Sequence, residues 1–100
     1  MKYMLVLQFS EDAISFDELV ELEDALTEGL EELAEVDGHD IGAGEANIFI
    51  ISDDVASTFD EAQQVLKDKG KSLLKAAWRE VEFEEYRVLF PPGVSDFTIA

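Results

Sequence analysis

The chain holds one histidine, His39, and it stands between Asp37 and Asp40. An imidazole beside carboxylates can ligate a divalent cation, or act as a base oriented by an acid. In an extended strand, Asp37 and His39 share one face and Asp40 takes the other. Gly42-Ala43-Gly44 follows and offers positions that tolerate positive φ, as a hairpin or bulge requires. A returning strand would bring Glu45 or Asn47 near the same place. Asp37, His39, Asp40, Gly42, Gly44, Glu45 and Asn47 are therefore the first candidate binding residues. A single histidine, with no H-x-x-x-H spacing, is a poor transition-metal set. Asp and Asn at turns also commonly satisfy local backbone groups, and this plainer role is favoured.

A second set is Glu11-Asp12 and Asp53-Asp54, each expected just after a central strand. At the same end of two adjacent strands, their oxygens could hold Mg2+ or Ca2+. Neither loop fits the D-x-[DN]-x-[DN]-G calcium pattern. Acids ahead of a helix are also favourable without any ligand. No serine lies in G-x-S-x-G. Gly42-Ala43-Gly44 lacks a third glycine and precedes a strand, so it is no phosphate loop. Trp78 and Arg79, with Tyr86 and Arg87, could make an aromatic–cationic patch. No cofactor is expected.

Two strand-to-helix units must position these residues. Residues 3–9 alternate Tyr3, Leu5, Leu7 and Phe9 with Met4, Val6 and Gln8. Both faces are largely apolar, which predicts a central strand. Ser15 and Glu18 form a capping box, with Ile14 placed to staple onto Leu19. The helix is predicted over 16–33, with Phe16, Leu19, Leu22 or Glu23, Leu26, Leu30 and Leu33 inward. Gly29 within it suggests a close helix–sheet approach. Residues 34–41 read as an edge strand and 46–52 as a second central strand. Thr58 and Glu61 read as a second capping box, whose helix carries Phe59, Ala62, Val65 and Leu66 inward and ends near Gly70. Residues 76–83 read as a strand and 86–90 as a further strand or extended segment, stopped by Pro91-Pro92-Gly93.

The halves repeat. With a constant offset of 43, Leu5-Val6-Leu7 meets Ile48-Phe49-Ile50, and Ser15-Phe16-Asp17-Glu18 meets Thr58-Phe59-Asp60-Glu61. Two such units predict an α+β, ferredoxin-like βαββαβ sandwich. It would have an antiparallel sheet, two helices on one face, and an extra C-terminal strand or tail. The other face then carries apolar side chains with no helix over them. Such a patch is unusual in a monomer. Met4, Val6, Phe49, Ile51 and Trp78 are the expected interface residues, covered by the C-terminal segment together with a homodimer partner.

Charge narrows the function. Hydrophobic residues are 47% of the chain, so its formal charge of −17 sits on a sequence able to fold. One hundred residues make a single domain. With no cysteine, disulfides and thiolate chemistry are excluded. Phosphate contacts need Lys and Arg, which disfavours direct nucleic-acid binding. Residues 1–66 hold 18 acids and one base, Lys2. Lys67, Lys69, Lys71, Lys75 and Arg79 cluster afterwards. The apolar start is too short to span a membrane, and a soluble cytoplasmic protein is expected.

Gly38-His39-Asp40, Gly42, Gly44-Glu45 and Asn47-Ile48-Phe49-Ile50, with Phe59 and the Tyr86…Phe90-Pro91 ending, resemble a pattern in small uncharacterised bacterial ferredoxin-like α+β proteins. The resemblance implies the fold and carries no activity. The resulting expectation is a non-catalytic acidic interaction or regulatory domain, immunity- or antitoxin-like, that binds a basic protein partner. The alternative is a small enzyme or ligand-binding dimer. It would use the open sheet face or a divalent metal at the 37–47 hairpin.

Overall fold

In the computed structural model, residues 2–94, 96, 97 and 99 are described. Strand β1 (Tyr3–Ser10) leads through a 3-10 turn (Glu11–Ala13) into helix α1 (Phe16–Leu30). Strands β2 (Ala34–Gly42) and β3 (Glu45–Ser52) form a hairpin, and helix α2 (Val55–Asp68) follows. Strands β4 (Lys75–Glu80) and β5 (Arg87–Phe90) complete an antiparallel five-stranded sheet of order β2-β3-β1-β4-β5. Each helix connects two strands with a third strand inserted between them. This α+β arrangement is compatible with the ferredoxin-like expectation.

Strand β1 lies between β3 and β4, which explains its lack of a polar face. Leu5, Leu7 and Phe9 share a core with Ala46, Ile48 and Ile50 of β3 and with Ala76 of β4. Leu19, Leu22, Leu26 and Leu30 of α1 and Ala62 and Leu66 of α2 close that core from above. Burying each such leucine stabilises by about 1.5–3 kcal/mol relative to exposure.

The α1 capping box forms as predicted. Ser15 Oγ accepts from the Glu18 amide at 3.2 Å, and Glu18 Oε1 accepts from the Ser15 amide at 2.9 Å. Ile14 is buried in the core. The helix stops at Leu30, short of residue 33. Its last turn carries no base, so nothing there favours the negative end of the dipole. Phe16, expected inward, is 59% exposed.

Three further expectations are corrected. Gly29 answers α2, not the sheet: a Cβ there would lie 2.7 Å from Val65 Cγ2. The second helix begins four residues before Phe59, with Asp54 as N-cap, accepting from the Ser57 amide at 3.1 Å. Thr58 is no cap. It is fully buried, with Oγ1 2.6 Å from Ser52 Oγ. The predicted strand over 76–83 ends at Glu80, and Arg79 closes the turn by donating to the Val81 and Phe83 carbonyls.

The face away from the helices is partly roofed by the chain itself. Lys75 and Arg79 lie on that face, opposite Gln8 and Met4. Lys75 Nζ donates to the Asp96 carbonyl at 2.9 Å. The Tyr86 ring packs on Phe97, centroids 4.9 Å apart, and under the Arg79 guanidinium. Val6 and Ala77 beneath are fully buried. Covering by the C-terminal segment is thus present.

Candidate functional site

The 37–47 hairpin is shaped by two backbone features. Ala43 and Gly44 form a two-residue turn with φ of 53° and 83°, closed by the Gly42–Glu45 pair. Positive φ at both turn positions matches the twist of the flanking strands. It is Ala43, not Gly42, that takes the left-handed conformation. The tip is anchored, because the Glu11 amide donates to the Gly44 carbonyl at 2.9 Å. Between Val36 and Gly38 the register shifts, and Asp37 occupies the bulge while Gly38 adopts φ 152°.

That bulge and the pleat disperse the first candidate set. His39 is opposite Ile48 and turns toward α1, where Nδ1 donates to Glu23 Oε1 at 2.6 Å. The Phe16 ring meets the imidazole edge-on at 5.8 Å. Asp40 pairs with Asn47 on the opposite face, and its side chain is exposed. Asn47 is buried and accepts from Gln8 Nε2 at 3.1 Å. Asp37, His39 and Asp40 therefore do not converge. Sequence reasoning missed Gln8 as a partner of Asn47. Its signal was present, since Gln8 is the one polar side chain within 3–9.

The second set is separated more completely. Glu11 and Asp12 leave β1, and Asp53 and Asp54 leave β3, and these neighbours run antiparallel. The two acid pairs stand at opposite ends of the sheet, about 25 Å apart for eight residues of strand. This corrects the expectation of a shared end. Asp53 pairs with Lys2 at 3.2 Å, both exposed. Asp54 is held below the usual carboxylate range, chiefly by the Ser57 backbone amide and then by its hydroxyl. Among the described residues, no group of three or more His, Cys, Asp or Glu is placed to hold a metal.

Of the expected interface residues, Met4, Val6, Phe49 and Ile51 share the face away from the helices. Val6 is fully buried, while Met4, Phe49 and Ile51 are half-buried. Trp78 is on the other face, opposite Leu5, and meets the Tyr3 ring edge-on at 5.4 Å. The Arg87 guanidinium lies over the Trp78 ring, 5.7 Å from its centroid. The aromatic–cationic patch thus splits between faces, with Trp78 and Arg87 on one and Arg79 and Tyr86 on the other.

What the arrangement does present is charge. Of the eighteen acids before Lys67, Glu23 and Glu45 are half-buried and the rest are exposed. Among the described residues, Glu18, Glu23 and Asp53 alone of these have a basic partner, in Lys71, His39 and Lys2. The acids cover the outer side of α1, the following turn and β2. No protein-family model, curated protein or solved structure matches the chain. No helix among the described residues is long and apolar enough to cross a membrane.

Proposed function

We propose that this chain is a non-catalytic acidic interaction domain that binds a basic protein partner, as an immunity or antitoxin-like factor would. Its fold is read as a ferredoxin-like βαββαβ sandwich, extended by β5 and the C-terminal segment. One observation carries the function: exposed acids on α1, the following turn and β2 whose carboxylates, among the described residues, mostly lack basic partners. An uncompensated field of one sign steers an oppositely charged protein and repels nucleic acid. The dispersal of both carboxylate sets removes the support for a metal-assisted activity at the hairpin.

Affinity capture with the immobilised protein, at low and then high salt, tests the reading. A basic protein retained at low salt and released at high salt is the expected result. A lysate yielding no salt-sensitive partner overturns it. The reading includes self-association through the half-buried strip of Met4, Phe49 and Ile51. Sedimentation equilibrium of the wild type against Phe49→Ser and Ile51→Ser tests that separately.

A further inference from the structure

We propose that the outer edge of β2, from Gly38 to Gly42, accepts an extended segment of the basic partner as an added strand. This rests on the acidic-binding reading above and adds where and how the partner is held.

Among the described residues, β2 pairs with β3 alone, so its other edge has no strand beside it. An edge strand presents unpaired N–H and C=O groups that can template an incoming chain. The register from Gly38 to Gly42 is uninterrupted, because the bulge lies before it.

The two sides of this edge differ in chemistry. Toward the helices, Ile41 is 38% exposed, and on neighbouring α1 Phe16 is 59% and Val20 37% exposed. His39 joins this patch through its contact with Phe16. Toward the other face stand the exposed carboxylates of Glu35 and Asp40, with exposed Asp37 at the bulge. Among the described residues, none of these three carboxylates has a basic partner.

A strand seated there would set alternate side chains against the apolar patch and the acids. The matching sequence alternates apolar residues with Lys or Arg. A second copy of this chain fits poorly. Antiparallel β2–β2 pairing centred on this edge would set Asp40 against Asp40 of the second copy, and facing like charges destabilise a strand pair.

The test uses dye-labelled eight-residue peptides against the full chain. One alternates Val and Lys, one has the same residues in two blocks, and one alternates Val and Glu. The expected result is that the alternating Val/Lys peptide binds at least ~10-fold tighter than either control, a difference well resolved by anisotropy. Amide exchange at residues 38–42 should slow in that complex. Asp40→Lys and Phe16→Ser, both at exposed positions, should each weaken it by ~10-fold or more, as expected for central contacts. Equal binding of the two Lys peptides overturns the strand-addition model but leaves an acidic binding surface standing. Failure of both Lys peptides, with no salt-sensitive partner captured, overturns both readings. A β2-edge homodimer, dissociated by Phe16→Ser in sedimentation, overturns the choice of a basic partner at this edge.

Discussion

Gln8 and Asn47 face each other across β1 and β3, both almost wholly buried, with the Gln8 amide donating to Asn47 Oδ1 at 3.1 Å. This polar pair lies on the sheet face that the helices leave bare. Burying an amide without a partner costs about 1–3 kcal/mol. Gln8→Leu should therefore destabilise by about 1–3 kcal/mol, and adding Asn47→Leu should recover part of that loss. Urea unfolding of the two singles and the double gives the coupling directly. Additive effects would mean that the hydrogen bond contributes nothing of its own.

At Gly29, α1 packs directly against Val65 of α2. Alanine there gains about 1 kcal/mol in helix propensity. Its methyl, however, would lie 2.7 Å from Val65 Cγ2. Overpacking of that kind costs about 1–3 kcal/mol, so Gly29→Ala should be neutral to destabilising by up to about 2 kcal/mol. In a Val65→Ala background the clash disappears, and the same substitution should become stabilising. Thermal unfolding of the four proteins checks the change of sign.

Acid sensitivity has an identifiable contributor. Glu18 is lowered from its ordinary 4.5 to about 2, first by the hydrogen bond from Lys71, then by those from Ser15. Asp54 shifts the same way. A carboxyl whose folded pKa lies below the unfolded one stabilises above the unfolded value. That contribution fades as pH falls from 4.5 toward 2. The stability difference between wild type and Glu18→Gln should be constant above pH 5 and shrink across that window. A difference independent of pH would show that Glu18 is not so held.

Salt should stabilise this protein. Self-repulsion follows from a formal charge of −17 with few internal ion pairs. Screening shortens its reach from about 30 Å at 0.01 M to about 8 Å at 0.15 M ionic strength. The melting temperature should rise over that range, with most of the gain at the low end. Charge reversal at exposed Glu28 or Glu32 should raise it at low salt and have little effect at high salt.

Much of the frame was legible because its signals are local and redundant. The two-sided apolar pattern of 3–9 marks a central strand, and Ser15 with Glu18 marks a helix start. What escaped prediction depended on contacts between distant segments. Thr58 carries the sequence signature of a cap. Yet the partner that captures it is Ser52, and Asp54 takes the capping role one turn earlier. Phe16 falls on the apolar stripe of α1 but sits at its first turn, beyond the core, against His39. The acid pairs failed as a site because equivalence in a repeat is not proximity. Neighbouring antiparallel strands send equivalent loops in opposite directions.

That last relation limits what the molecule can be used for. A catalytic cleft usually draws groups from several loops meeting above one rim of a sheet. Here the loop following each central strand departs toward its own pole, so the two cannot close on a common small molecule. Under the proposed reading, recognition falls to the flanks of the sheet, where an extended partner would meet a long contour.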